Sequence, residues 1–445
     1  MEKKDNLSIA KMLAVRVSDL GGRAYFVGGF VRDRLLGRVS EDIDIEIHGI
    51  DVNNLREILS TLGTTLEMGE SFGIFSLRGT DIDVALPRKE SATGRGHKDF
   101  DISVDAYIGT RKAAMRRDFT VNALMEDVLT GEITDHFGGR ADLENKILRH
   151  VSDERFPEDP LRVLRLAQFA ARFGFSAAEE TKALCRTIDL SALSKERIEG
   201  EMKKALLNSP APSVFFEVLR DVNGLDFWFP EIKSLINLQQ NPRFHPEGDV
   251  WVHTMETLDR CAEYRDSVSD PFAFMLSALC HDLGKIEATK EIDGVIHAYA
   301  HESLGVPVAE KFLHRITNEK SVIKYALNMT ALHMKPGVMA RAGSAQKAFN
   351  RLFDESINPR ELIFLSLCDE GERNENIEEI LSEKLSLFNE IMSRPFVQGK
   401  DLIEAGLVPD KSFSEILDYA HKLRLAGVNK ESALKQTLSF ARKVK

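Results

Sequence analysis

The sequence predicts an α+β chain, with a mixed N-terminal region followed by a nearly all-helical remainder. Three observations carry this reading. Apolar–polar alternation with period two, the pattern of a half-buried strand, recurs among helical patterns in the first 150 or so residues. From Pro160 onward strand signals nearly vanish, and helical periodicities run through 160–208, 213–224, 250–265, 270–283, 303–316 and 320–334. The length of 445 residues allows two to four domains.

The elements follow in order. Leu7 to Leu20 reads as an amphipathic helix ended by Gly21-Gly22. Tyr25–Val27 reads as a short strand, and Val31–Leu36 opens a helix. A strand over 42–47, a helix over Asn53–Leu62, and strands near Ile74–Arg78 and Ile82–Leu86 follow. The polar, glycine-bearing segment Arg88–Asp99 reads as a flexible loop, and its composition fits a solvated hairpin equally well. A segment with Gly406 and Pro409 introduces a last helical pair, Ser412–Ala426 and Lys430–Lys443.

Composition excludes several classes. The longest apolar stretches, such as Phe272–Cys280, are too short to span a bilayer. Met1–Asn6 lacks the apolar core of a signal peptide. The four cysteines, Cys185, Cys261, Cys280 and Cys368, show no paired spacing, which argues for a reducing compartment. The expected location is therefore cytoplasmic, with no membrane partner. A net charge of −11 gives no global support for nucleic-acid binding, although a local basic stripe is enough to hold phosphates.

The most informative stretch is Gly28-Gly29-Phe30-Val31-Arg32-Asp33 followed by Asp42-Ile43-Asp44-Ile45-Glu46-Ile47. On a strand, Asp42 and Asp44 point to one face. Two adjacent carboxylates repel unless a cation sits between them. Hard oxygen ligands suit Mg²⁺, which borrows further ligands from a phosphate. The glycine pair lets backbone approach that phosphate, and Arg32 supplies a charged fork. These parts together predict phosphoryl or nucleotidyl transfer.

Two further motifs follow. In Arg116-Arg117-Asp118-Phe119-Thr120-Val121-Asn122, Asp118 and Asn122 are four apart and would share a helix face. An acid with an amide suits a ribose hydroxyl, and the arginines suit a triphosphate. The same pattern fits an N-capped surface helix. In Glu158-Asp159-Pro160-Leu161-Arg162-Val163-Leu164-Arg165, Asp159 and Arg162 can meet at a helix start. An acceptor beside a donor fork matches cytosine and adenine, which both present an amino donor next to a ring-nitrogen acceptor. A plain Asp–Arg ion pair at a helix start is the alternative.

In this order, and with Phe137-Gly138-Gly139 and Asp142-Leu143 between them, the motifs resemble the class II tRNA nucleotidyltransferases, which build the 3′ CCA end of tRNA. The resemblance covers residues 25 to about 175. It implies a nucleotidyltransferase head (1–150) with a small mixed sheet, then a helical neck (151–240), body (241–395) and tail (396–445). It implies that Asp42 and Asp44 hold two Mg²⁺ ions, with Asp83 as the candidate third carboxylate. Gly28, Gly29, Arg32, Arg117, Asp118, Asn122 and Arg165 would serve the incoming CTP or ATP. Asp159 and Arg162 would read the base without a nucleic-acid template, and the tRNA 3′ end would be the acceptor. One position departs from the family, where an arginine is common but Gln168 stands here. The long segment after Arg88 favours addition of the full CCA over CC alone.

The body carries His253, His281-Asp282, His301, His333 and Asp369. Imidazoles and carboxylates together bind divalent metals. The order His, His-Asp, Asp resembles the HD phosphohydrolases over roughly 245–375. By that resemblance His253, His281, Asp282 and Asp369 ligate one metal (nickel, manganese, cobalt, iron or zinc), and His301 and His333 serve a second. The implied substrates are phosphomonoesters or cyclic phosphodiesters, including a 2′,3′-cyclic RNA end. A vestigial metal site in an RNA-binding body is the alternative. The rival readings of the whole chain are a CC- or A-adding enzyme, a bacterial poly(A) polymerase, and an HD hydrolase with a non-catalytic RNA-binding head. The histidine set and the absence of a strongly basic C-terminal extension disfavour the polymerase, and the intact Asp42/Asp44 and Asp159/Arg162 pairs disfavour the last.

Overall fold

The computed structural model describes residues 6–40, 42–67, 73–92, 100–371 and 376–444. Met1–Asp5, read above against a signal peptide, and 93–99 of the polar segment lie outside the described residues. The chain divides into two compact units. One runs up to Ala205 and includes Val214–Trp228; the other comprises Leu206–Ser213 and Phe229 onward.

The first unit holds the sheet. Its strands are β1 (Arg23–Val27), β2 (Ile43–His48), β3 (Thr65–Glu67), β4 (Ile74–Leu77) and β5 (Ile82–Ala85). The hairpin strands β6 (Arg88–Ala92) and β7 (Phe100–Val104) follow, then β8 (Met125–Asp127) and β9 (Ile133–Thr134). Seven of these form one sheet in the order β3-β4-β5-β2-β1-β8-β9. Only β2 and β5 run parallel within it; the other pairs are antiparallel. The α+β expectation is met by this mixed sheet followed by helices. On β2, Ile43, Ile45 and Ile47 are buried and Asp44 is exposed, as the alternation predicts, but Glu46 and His48 on the polar face are buried as well. The helix Asn6–Asp19 buries Ile9, Ala10, Leu13, Ala14 and Val17, a helical stripe that packs against β1 and the helix Val52–Leu62.

The segment from Arg88 opens as strand β6, which pairs with β7 from Arg88↔Val104 to Ala92↔Phe100, the hairpin alternative of the sequence reading. Two local readings need correction. Asp118 and Asn122 lie on no α-helix; only a 3₁₀ turn, Thr120–Asn122, forms there, and both residues are buried. The helical stretch 160–208 is three helices, Leu161–Phe173, Glu179–Cys185 and Lys195–Asn208. The first ends at Gly174 in the left-handed region, the usual stop signal. A two-residue parallel pairing, β10 (Ile147–Leu148) with β11 (Ser176–Ala177), follows that break.

The second unit packs the helices Val250–Ala262, Pro271–Cys280, His301–Ile316, Lys320–Leu332 and Pro359–Glu370 against one another. Pro271–Cys280 is its centre. Asp270 caps it by accepting from the Ala273 amide, Pro271 starts it, and every residue from Phe272 to Cys280 is buried. One hairpin interrupts the helices, β12 (Thr289–Ile292) with β13 (Val295–Ala298). Its turn, Asp293-Gly294, has φ of 52° and 73°, the mark of a type I′ turn. The C-terminal helices bury a cluster of their own around Leu402, Ile416, Ala420 and Ala433. Among the described residues no helix is long and apolar enough to cross a membrane.

Candidate functional site

In the first unit, a cavity of about 710 Å³ gathers the residues of the sequence motifs. Gly28, Gly29 and Arg32 line it from the β1–helix turn, and Asp42 and Asp44 from the start of β2. Arg117 and Asp118 come from just before the 3₁₀ turn and Asn122 from its end; Asp159 precedes the helix Leu161–Phe173, which carries Arg162 and Arg165. Gly28 has φ of 68°, and a Cβ there would stand 3.0 Å from an Arg117 nitrogen and 3.6 Å from the Asp44 carboxylate. Only glycine meets both the backbone and the space requirement.

Asp83 is not on the cavity lining. It stands in register with Asp44 across the β2–β5 pairing and accepts from the Ser76 hydroxyl. Desolvation holds the Asp44 carboxyl above the usual range; Arg117 pulls it down, and Asp83 and Asp42 push it further up. Pooled negative charge of this kind favours a bound cation.

A buried relay of side chains crosses the site. Asp33 Oδ1 accepts from Arg32 at 2.7 Å, and Arg32 donates to Asn122 Oδ1 at 2.7 Å. Asn122 donates to Asp118 at 2.9 Å, and Arg165 Nε donates to the other Asp118 oxygen at 2.7 Å. Phe173 lies 4.3 Å beneath the Arg32 guanidinium. Burial raises the Asp118 carboxyl, but Arg165 and Asn122 outweigh it and hold it below the usual range.

Sequence reasoning missed two residues here, Arg197 and Glu46. The Arg162 amide donates to the Asp159 carbonyl at 3.0 Å. Arg162 donates to the carbonyls of Arg155 and Arg116, both at 2.6 Å. Asp159 is extended (φ −123°) and precedes the helix. Its carboxylate accepts from Arg197, at 2.9 and 2.8 Å. Arg197 carries no local signal, since it lies 38 residues away. Glu46 is the other omission. Buried on β2, it faces His48 at 2.9 Å, Arg116 at 3.2 Å and Arg117 at 3.5 Å. Burial raises its carboxyl, but His48 and the two arginines bring it to about 2. The alternation Asp42, Asp44, Glu46 was its signal. Gln168 is buried on the cavity wall, and its amide nitrogen has no hydrogen-bond partner among the described residues.

The second unit brings the six histidine–aspartate residues into one buried cluster. Asp282 sits among them, its oxygens 3.3 Å from His281, 3.4 Å from His253, 3.2 Å from His301 and 3.9 Å from His333. Asp369 lies 2.9 Å from His253. The Nδ1 atoms of His281, His301 and His333 bond the carbonyls of Ala278, Ala298 and Thr330 at 2.7, 2.8 and 2.7 Å. A carbonyl only accepts, so each Nδ1 carries a proton and each ring turns its Nε2 inward. His333 Nε2 is buried with no hydrogen-bond partner, and desolvation with the nearby His281 pushes this imidazole down to about 3. Imidazole Nε2 atoms turned inward beside two carboxylates fit a transition-metal or zinc centre.

Other groups support this cluster. Burial raises the Asp282 carboxyl, but Lys285, 2.6 Å away, and His281 hold it well below the usual range. Gly284 lets the loop touch the helix His301–Ile316, since a Cβ there would lie 1.9 Å from the His301 carbonyl oxygen. Sequence reasoning missed His245 and Glu247. Glu247 bonds His253 Nδ1 at 2.7 Å and His245 Nδ1 at 2.9 Å. All four cysteines are buried and form no disulfide.

Comparison with known proteins agrees with this geometry. Residues 24–149 match the Poly A polymerase head domain, and residues 250–374 match the HD domain. The Multifunctional CCA protein of Pasteurella multocida (strain Pm70) is 38% identical over 340 residues, 74% of this chain and 79% of the relative. The Thermotoga maritima CCA-adding enzyme complexed with tRNA superposes with a TM-score of 0.68 at 22% identity, covering 99% of this chain and 97% of that one. The Bacillus stearothermophilus CCA-adding enzyme in complex with CTP does so at 0.64 and 20%, covering 99% and 98%. With its head motifs, its HD cluster and this degree of identity, the chain belongs to the multifunctional CCA protein family.

Proposed function

We propose that this chain adds or repairs the 3′ CCA end of tRNA from CTP and ATP without a template, and that its second unit hydrolyses phosphate esters. The observation that carries the first activity is the single cavity joining Asp42 and Asp44 to Arg32, Asp118, Asn122, Asp159 and Arg162. Relatives named Multifunctional CCA protein support it, as do solved CCA-adding enzymes whose complexes contain tRNA, CTP and ATP.

Asp42 and Asp44 would hold Mg²⁺, with Asp83 reinforcing the negative field. When bound, the metal supplies a lowered pKa at the tRNA 3′-hydroxyl and neutralises triphosphate charge. The remaining work falls to the chain itself. Gly28 and Gly29 open backbone to the phosphates, and Arg117 and Arg32 present guanidinium charge beside them. Asp118 and Asn122 offer an acceptor and an amide to the ribose. Asp159 accepts the amino proton of cytosine or adenine, and Arg162 donates to the ring nitrogen beside it. The bonds from Arg197 leave lone pairs on the Asp159 oxygens, so reading a base does not require the carboxylate to move. Uracil and guanine place a carbonyl against that carboxylate and are repelled.

In the second unit, His253, His281, Asp282 and Asp369 would hold one divalent metal, with His301 and His333 available to a second. Such a centre supplies an activated water nucleophile. Lys285 adds positive charge beside Asp282, and the buried walls limit water. The substrates are phosphomonoesters or 2′,3′-cyclic phosphodiesters.

The test is to incubate the protein with tRNAs ending at the discriminator base, at C and at CC, with each labelled nucleotide in turn. Addition that stops at CCA is expected. A stop at CC identifies a CC-adding enzyme, long A tails a poly(A) polymerase, and no addition a non-catalytic head. For the second site, 2′,3′-cyclic phosphate hydrolysis is compared with Asp282→Ala, and equal rates would sink the hydrolase reading.

A further inference from the structure

The histidine–aspartate cluster opens into a cavity of about 500 Å³ whose lining is of two kinds. Its buried part is ionic, with Asp282, His301, Asp369 and Lys285 all under a tenth exposed. Its solvent-facing part is aromatic. Tyr299 is 69% exposed and Phe244 53% exposed, and both border the same cavity. Large aromatic rings left in water beside a charged pocket call for an explanation, because burial of either would be favourable.

Tyr299 is also held in place. The His297 ring stacks on it with centroids 4.9 Å apart and planes within 14°. His297 lies on β13, where it pairs with Lys290 of β12, so the hairpin fixes the stack. The strand then ends at Ala298, whose carbonyl bonds Nδ1 of His301. Five consecutive residues thus build an exposed aromatic face and set one imidazole of the cluster. A flat, preformed ring beside a phosphate-sized ionic pocket is the combination that binds a nucleoside phosphate, since every base has a π-face to stack.

We propose that Tyr299, braced by His297, is a base-stacking platform for the substrate of the second unit's cavity, with Phe244 as a second ring. This rests on the reading of the cluster as a phosphohydrolase centre, and it names what selects the substrate there. The base stacks on the aromatic face while the phosphate reaches the cluster. Lys285, bonded to Asp282 at 2.6 Å and to Gln240 at 2.9 Å, supplies cationic charge along that path.

The test uses the full chain. Hydrolysis of a nucleoside 2′,3′-cyclic phosphate is compared with that of a base-free analogue, methyl riboside 2′,3′-cyclic phosphate. Wild type is expected to prefer the nucleotide, chiefly through KM. Tyr299→Ala is expected to raise KM for the nucleotide about tenfold and remove that preference, as loss of one stacking contact predicts. Tyr299→Phe, which keeps the ring, is expected to retain it. Equal KM for the two substrates in wild type, or an unchanged preference in Tyr299→Ala, overturns the platform. If wild type hydrolyses neither, the hydrolase reading has failed and binding decides the platform. Calorimetry then compares a nucleoside 2′-monophosphate with ribose 5-phosphate. Base-dependent binding that Tyr299→Ala abolishes upholds the platform, and its absence overturns it.

Discussion

Asp159 takes two hydrogen bonds, at 2.9 and 2.8 Å, from a single nitrogen of Arg197, which enters from the helix Lys195–Asn208. The carboxylate meant to read the base is therefore oriented by an arginine outside its own motif. Arg197→Met is expected to lower kcat/KM for CTP roughly tenfold, in line with the loss of a charge-assisted hydrogen bond. It is also expected to raise misincorporation of UTP, because a freed carboxylate no longer holds one geometry. Single-nucleotide addition to a tRNA lacking CCA measures both. Unchanged selectivity would assign Arg197 a purely structural role.

In the proposed function Asp42 and Asp44 serve one of two separate activities. Asp44→Ala is expected to reduce CTP and ATP addition by on the order of a thousandfold, since it removes a metal ligand at the point of charge development. Cyclic-phosphate hydrolysis by the second unit is expected to persist. Loss of both activities in a folded variant would contradict two independent centres.

Glu247 orients His253 through Nδ1 at 2.7 Å, leaving Nε2 for the cluster. Removing such a supporting carboxylate usually costs 10- to 100-fold in metal affinity, as an order-of-magnitude range. Glu247→Ala is expected to weaken Mn²⁺ binding within roughly that range, and Glu247→Asp to recover part of it. Titration of metal-stripped full-length protein reads this directly, and affinity equal to wild type would refute the positioning role.

Glu231 and Arg315 form a forked ion pair, at 2.5 and 2.8 Å, inside the second unit. Burial raises the Glu231 carboxyl, but Arg315 outweighs this and the net shift is downward. A depressed carboxyl contributes stability above its unfolded pKa and loses it as pH falls through the folded value. The pair is thus fully stabilising at neutral pH and fades below about pH 4.5. Glu231→Gln is expected to cost about 2 kcal/mol at pH 7, a charged hydrogen bond's worth. The deficit should shrink as the wild type is acidified. Denaturant melts at pH 7 and pH 4 check this, and an equal deficit at both would show that charge is not the cause.

Much of this was legible in the chain itself. Period-two alternation located β2 and placed Asp44 on its open face, because strand geometry is local. The hairpin of the second unit was equally readable, since Asp-Gly between Ile292 and Val295 is a strong turn signal, yet helical periodicity on both sides drew attention from it. The reading of Asp118 and Asn122 as helix neighbours went wrong in a telling way. They do bond at 2.9 Å, but through a 3₁₀ turn buried against Arg32 and Arg165.

By itself the sequence determined the α+β division, the family, and the identities of the carboxylates, arginines and histidines. These depend on residue type, order and short spacing. Only the tertiary structure decided who partners whom. The Asp159 carboxylate takes Arg197, Glu46 holds Arg116 and Arg117, Glu247 orients His253, and Tyr299 stands open over the second cavity. A charged side chain left in a folded interior takes whichever counter-charge packing brings nearest, and packing joins residues that no local period relates.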